Sequence, residues 1–202
     1  IFGMGANAKV ASIAADLAQN NVNVISDAEA VGKYSVISEQ ETFDIEYWSL
    51  EQAKIGKRTE GPLFGKIVVV TGGGSGIGAA TARAFANHGA DVAVLDRNNE
   101  AASTIAKSIG GQAIYCDVTN SPSVNLAFDL VCEKFGGVDI VVSNAGAAWQ
   151  GRIGDVDNEI LRESFELNFW SHQTVAKRAV TILRNQSIGG CLLFNISKQA
   201  IN

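Results

Sequence analysis

The sequence predicts an α/β fold, a doubly wound parallel sheet that is incomplete at its C-terminus and preceded by a short helical segment. Three observations predict it. First, the β-branched run Ile67-Val68-Val69-Val70-Thr71 leads straight into a glycine-rich turn, Gly72-Gly73-Gly74-Ser75-Gly76-Ile77-Gly78. Second, strand and helix signals alternate from residue 62 to residue 202. Third, the strands are continuously apolar and their connections are short and marked by glycine. Such strands are buried on both faces, as in a parallel sheet covered by helices. Right-handed crossovers then give a doubly wound sheet.

The 202 residues suffice for one sizeable domain plus a piece of another, and a hydrophobic content of 47% requires a packed core. The formal net charge is −5 and the basic residues are scattered, which argues against a nucleic-acid surface. Cys116, Cys132 and Cys191 are far apart and form no Cys-x-x-Cys, so they read as buried, reduced thiols of a cytoplasmic protein. No apolar run reaches membrane-spanning length, and the first residues lack the basic start and apolar core of a signal peptide.

Residues 1–61 read as three short helices and a linker. Ala8, Ala11, Ile13, Ala14, Leu17 and Ala18 recur at helical spacing within 6–19. Residues 23–30 read as a second helix and 34–40 as irregular. Phe43, Ile45, Tyr47, Trp48, Leu50, Ala53 and Ile55 mark a third, with Glu41, Asp44 and Glu46 near its start, where the helix dipole favours acids. The segment has no His and no Cys, so it offers no transition-metal site. Residues 54–65, broken by Gly61-Pro62, form the linker.

From residue 62 the expected elements are a strand at 66–71, a helix at 77–88 ended by Gly89 and a strand at 91–95. A helix at 99–109 stopped by Gly110-Gly111 and a strand at 112–116 follow. Next come a helix at 121–135, with Ser121 as N-cap and Pro122 at the first helical position, and a strand at 138–143. One long helix at 157–184 and a fifth strand at 191–196 close the series. Phe165, Phe169, Val175 and Ala179 mark an apolar stripe on the long helix, expected to be core plus a subunit interface.

The turn has the order Thr71-Gly72-x-x-x-Gly76-x-Gly78, which is neither G-x-G-x-x-G nor a P-loop. Gly72 and Gly76 can take backbone angles that a Cβ opposes, and Gly76 lets the main chain approach a pyrophosphate. Gly78 permits close packing of helix on strand. Exposed N–H groups at the helix start favour phosphate charge. Asp96 ends the second strand eighteen residues after Gly78. A carboxylate there accepts hydrogen bonds from adenosine ribose hydroxyls and repels a 2′-phosphate. Arg97 acts against that preference and the uncharged Ser75 with it, so NAD is expected over NADP.

Thr71-Gly72-x-x-x-Gly76-x-Gly78 is followed by Asp117-Val118-Thr119, Ser143-Asn144-Ala145-Gly146, Leu167-Asn168-Phe169, and Ser197 at the close of the fifth strand. In this order and spacing, residues 64–202 resemble the short-chain dehydrogenase/reductase family. The resemblance implies a Rossmann-like domain that binds NAD through Thr71, Gly72, Ser75, Gly76, Ile77 and Gly78, with Asp96 at the ribose. It places Asp117 and Val118 at the adenine, and Asn144, Ala145 and Gly146 at the nicotinamide ribose. Ser143 stands where the family more often has Asn. The resemblance further implies that Ser197 bonds the substrate oxygen and that Asn168 holds a water in a proton relay. A Tyr would transfer the proton with its pKa lowered by a Lys, since tyrosine is a poor base at its ordinary pKa of about 10.

That Tyr-x-x-x-Lys pair should follow Ser197, yet only Lys198, Gln199, Ala200, Ile201 and Asn202 remain. Tyr34, Tyr47 and Tyr115 all lie upstream. The chain therefore reads as a piece of a longer protein, cut at both ends and inactive by itself. Residues 26–34 and 45–54 resemble the end of the aldolase half of bifunctional rhamnulose-phosphate aldolase/alcohol dehydrogenases, whose metal-binding histidines would precede Ile1. The expected activity is hydride transfer between NAD and a secondary alcohol or carbonyl, or a small sugar-derived aldehyde. The family implies a homo-oligomer, and neither a membrane nor nucleic acid is an expected partner. The alternative is a non-catalytic nucleotide-sensing or scaffolding module. His88 is expected to cap a helix, His172 to pack or lie at the surface, and Trp149 either to pack in its loop or to reach a substrate pocket.

Overall fold

A computed structural model describes residues 1–5, 8–48, 61–152 and 154–196. The chain divides into two compact units, Ile1–Glu60 and Gly61–Asn202. In the first, α1 spans Ala8–Val31 and α2 spans Glu39–Glu46. The two helices expected at 6–19 and 23–30 are thus one. Asn20, Asn21 and Asn23 are poor helix formers, but each costs only tenths of a kcal/mol. Gln19 Nε2 also donates to Asn23 Oδ1 at 3.2 Å across the supposed break. The third helix starts earlier than expected because Ser38 and Glu41 form a reciprocal capping box. It ends at Tyr47. The expected helical residues Leu50, Ala53 and Ile55, and most of the linker, lie outside the described residues.

The second unit holds five parallel strands in the order β3-β2-β1-β4-β5. Their ranges are β1 Ile67–Thr71, β2 Asp91–Asp96, β3 Gln112–Tyr115, β4 Ile140–Ser143 and β5 Cys191–Phe194. The helices are α3 Gly76–Asn87, α4 Asn99–Ile109, α5 Ser121–Phe135, α6 Asn158–Phe165 and α7 Ser171–Gln186. In register, Val69 sits between Ala93 of β2 and Val141 of β4. The strand alternation divides the core. Val68 and Val70 pack with Ala79, Ala82, Ala102 and Ile105 on the α3–α4 face. Val69 packs with Phe128, Val131, Val175 and Ala179 on the α5–α7 face. From β1 the chain winds outward through β2 and β3, then returns to place β4 on the other side of β1. That reversal opens a crevice beyond the carboxyl ends of β1 and β4.

Four local expectations are corrected. Asn120, not Ser121, caps α5, its side chain accepting from Ser123 N at 2.9 Å. The long helix is not continuous: a π-turn, Glu166–Trp170, separates α6 from α7. The apolar stripe holds only downstream of that turn, where Val175 and Ala179 are buried, while Phe165 and Phe169 are 56% and 55% exposed. Of the three thiols only Cys116 is buried; Cys132 is half-buried and Cys191, on the edge strand, is exposed. No helix among the described residues is long and apolar enough to cross a membrane.

Candidate functional site

The crevice at the carboxyl ends of the strands is a cleft of about 1330 Å³. It runs from Asp96, Arg97 and Asp117 on the β2–β3 side to Asn144, Trp149, Asn168 and Asn195 on the β4–β5 side. The glycine turn forms its floor. Gly72 has φ +63°, a left-handed conformation that only glycine takes without strain. A Cβ on Gly78 would stand 2.1 Å from the Gly72 carbonyl oxygen, so the helix can start this close to the strand only without a side chain there. Gly76 is different: nothing lies within 4 Å of where its Cβ would be, and that space is the cleft. Ser75 is the N-cap of α3, yet its side chain makes no capping hydrogen bond. The first amides of α3 are thereby left to an external acceptor, and Ser75, Gly76 and Ile77 are exposed.

Asp96 braces this turn from the neighbouring strand. Its Oδ2 accepts from Gly74 N and its Oδ1 from Asn98 N, both at 2.9 Å. Its carboxylate therefore holds a fixed position on the cleft wall, with Arg97 exposed beside it. Asp117 is oriented by its own turn: Oδ1 accepts from Thr119 N at 3.0 Å and from Thr119 Oγ1 at 2.7 Å. Cys116 lies between these two acids. Burial first, then the charges of Asp117 and Asp96, push its thiol up to about 12, so it is a neutral wall residue and no nucleophile.

On the other side, Thr71 ties β1 to β4. Its buried Oγ1 accepts from Asn144 N at 2.9 Å and Ala145 N at 3.1 Å. Asn144 returns the link, Nδ2 donating to Thr71 O at 3.0 Å, while its Oδ1 accepts from Asn195 Nδ2 at 2.8 Å. Asn168 sits in the middle of the π-turn and grips the next loop with both ends of its amide. Oδ1 accepts from Ala147 N at 3.1 Å and Nδ2 donates to Ala147 O at 2.8 Å. The pairing falls at the widened turn, where Asn168 faces the loop. Gly146 lies against the same Asn168 oxygen.

The structure thus gathers Gly72, Ser75, Gly76, Ile77, Gly78, Asp96, Asp117, Val118, Asn144, Ala145, Gly146 and Asn168 around one cleft, with Thr71 directly behind it. Ser197 lies outside the described residues; Ile196 before it lines the cleft. Sequence reasoning missed Asn195, although a polar residue closing an apolar strand was a signal for it. It also missed the wall formed by Glu159, Arg162 and Glu163 of α6 and by Glu166 of the π-turn, which no motif marks. Trp149, for which the sequence allows either loop packing or a substrate pocket, lines the cleft and is 37% exposed. His88 is the C-cap of α3 as expected. His172 faces Ser143, with its Nδ1 2.6 Å from the Ser143 Oγ. Among the described residues no three His, Cys, Asp or Glu side chains gather as a metal site would require.

Residues 66–200 match the short chain dehydrogenase family, and residues 1–55 match the second domain of class II aldolases. The chain is 30% identical over 205 residues to the uncharacterized oxidoreductase YuxG of Bacillus subtilis, covering 98% of this chain and 30% of that protein. It is 35% identical over 150 residues to a D-threitol dehydrogenase of Mycolicibacterium smegmatis, covering 68% of this chain and 54% of that one. A short-chain type dehydrogenase/reductase from Mycobacterium marinum superposes with a TM-score of 0.67 at 32% identity, over 69% of this chain and 59% of the other. A 7α-hydroxysteroid dehydrogenase complexed with NADH and 7-oxo glycochenodeoxycholic acid gives 0.64 at 34%, over 69% and 56%. The chain spans between 30% and 59% of the length of these relatives. With a family match over residues 66–200 and solved relatives above 30% identity that share its parallel sheet, the chain belongs to the short-chain dehydrogenase family of oxidoreductases.

Proposed function

We propose that residues 62–202 bind NAD and serve hydride transfer between it and a secondary alcohol or its carbonyl. The observation that carries this reading is a single cleft joining an uncapped helix N-terminus, a braced carboxylate and a lattice of side-chain amides. The residues fit the cofactor. The amides of α3 and the open space at Gly76 suit a pyrophosphate. Asp96, already holding Gly74 and Asn98, presents its charge where an adenosine ribose would sit, which favours NAD over NADP. Asp117 and Val118 border the adenine side. Asn144, Ala145 and Gly146 border the nicotinamide ribose, and Trp149 and α6 the substrate.

The cofactor supplies the hydride chemistry when bound. The chain's own residues bind and orient it, and Asn168, fixed on Ala147, can hold a water for proton traffic. Residues 1–202 contain no Tyr-x-x-x-Lys, so proton transfer to the substrate is assigned to no residue of this chain. Ser197 is assigned to the substrate oxygen on the family resemblance alone. The aldolase-type match at 1–55 supports reading residues 1–61 as the end of an aldolase domain plus linker, and a small polyol or sugar-derived aldehyde as the substrate. The relationship to a D-threitol dehydrogenase points to the same substrate class. Calorimetric titration of the full-length protein tests the proposal. NAD should bind more tightly than NADP, and binding of neither would refute it.

A further inference from the structure

His172 has no part in the function proposed above, yet its surroundings are specific. It is the second residue of α7, four residues beyond Asn168. Its Nδ1 lies 2.6 Å from the Oγ of Ser143, the last residue of β4, which is 1% exposed. Its ring meets Phe194, the last residue of β5, edge-on with centroids 6.1 Å apart. The residues that follow these two strand ends are Asn144 and Asn195, whose side chains bond each other, and Asn195 N also donates to Ser143 O at 3.0 Å. One imidazole therefore touches both strand ends that carry the amide lattice. Burial lowers the basicity of the ring, which keeps it neutral, with one N–H and one lone pair. Without His172 the buried Ser143 hydroxyl would lose its side-chain partner, a loss costlier than that of an exposed bond.

We propose that His172 is a positioning residue for the nicotinamide end of the cleft, holding the ends of β4 and β5 together through Ser143 and Phe194 so that Asn195 keeps Asn144 in place. The proposal rests on the nicotinamide-cofactor reading. A histidine serving only the core would affect the whole domain, whereas this one should affect one end of the cleft.

The test compares NADH, which fills both ends, with ADP, which fills only the adenine end, by fluorescence and calorimetric titration of the full-length protein. His172→Phe keeps a ring against Phe194 but deletes Nδ1, whereas His172→Asn keeps a polar atom near the Nδ1 position. His172→Phe should weaken NADH by about three- to tenfold, the loss of one neutral hydrogen bond, and leave ADP within about twofold. His172→Asn, which regains the polar contact but not the ring against Phe194, should bind NADH with an affinity between those of the wild type and His172→Phe. Ser143→Ala should reproduce His172→Phe, and the double variant should be no worse than either single one. Ser143→Ala also replaces His172→Phe should the latter fail to fold. Wild-type NADH affinity in His172→Phe, a parallel loss of ADP, or no rescue by Asn would overturn the proposal. A wild-type protein that binds neither NADH nor ADP would instead remove the cofactor reading itself, and this inference with it.

Discussion

Replacing Thr71 with valine isolates the polar joint between β1 and β4. Valine has nearly the same volume and the same branching, so neither a cavity nor a strand-propensity change contributes. What is lost is one oxygen, which accepts from Asn144 N and Ala145 N and donates to Val142 O at 3.4 Å. A fully buried donor left without an acceptor costs about 1–3 kcal/mol. Asn144 and Ala145 are half-buried, which puts each near the lower bound, and the long bond to Val142 adds little. The expected loss is about 2–3 kcal/mol. At roughly 3–5 °C per kcal/mol for a domain of this size, Tm falls by about 6–15 °C. Thr71→Ser keeps the oxygen and loses one methyl, about 1 kcal/mol. Thermal unfolding followed by circular dichroism should therefore rank wild type, then Ser, then Val. A valine variant as stable as the serine variant would refute the argument that this hydroxyl, and not the packing around it, joins the strands.

The glycine turn predicts a second ordering. Gly78→Ala drives a Cβ onto the Gly72 backbone and should cost about 2 kcal/mol or more even after alanine's helix gain of about 1 kcal/mol. Gly76→Ala meets open space and pays only for φ +52°, about 1–2 kcal/mol. Melting curves that place Gly76→Ala below Gly78→Ala would contradict this. The thiols should separate in alkylation followed by mass spectrometry. The exposed Cys191 should react in the folded protein, and Cys116, raised to about 12, only on unfolding; early labelling of Cys116 would count against its burial. His172 sets a pH dependence. Its folded pKa is lowered by burial, so the unfolded chain binds the extra proton. The stability is complete above about pH 6.5 and is lost as pH falls through that value. Urea midpoints should fall more steeply from pH 7.5 to 5.5 in the wild type than in His172→Asn, and equal slopes would show that His172 does not carry the effect.

The sheet was legible because its signals are local. Val68, Val69 and Val70 are apolar because both faces of β1 are covered, and helices 99–109 and 121–135 have the expected bounds, the first stopped by Gly110 as read, the second capped by Asn120 and not by the expected Ser121. The misreadings arise where a pairing overrides a local preference. Asn20, Asn21 and Asn23 resemble a break, but one i to i+4 amide bond and the absence of Gly or Pro carry α1 through. The stripe Phe165, Phe169, Val175, Ala179 assumes a constant helical period. The π-turn inserts a change of phase in its middle, where Asn168 pairs with Ala147, 21 residues away. Periodicity holds no record of such a contact.

The same distinction separates the two ends of the cleft. The β2–β3 end is built largely from backbone: the turn amides are aimed by Gly72 and Gly78, and Asp96 acts by holding Gly74 N. Backbone geometry demands particular residues at fixed spacing, so this end is written as a motif. The β4–β5 end is built from side-chain amides whose partners lie far off in the chain. Asn144 reaches Thr71 across 73 residues and Asn195 across 51. A sequence can display those asparagines but not which of them meet. It follows that a substitution at the motif end should damage local folding and cofactor binding together. One at the exposed Asn195 of the amide end can leave the fold nearly intact while loosening the atoms that, on the proposed function, lie nearest the reacting carbon. Catalysis depends on such positioning to within fractions of an ångström, so the second kind of change should be the more damaging to rate and the less visible in stability.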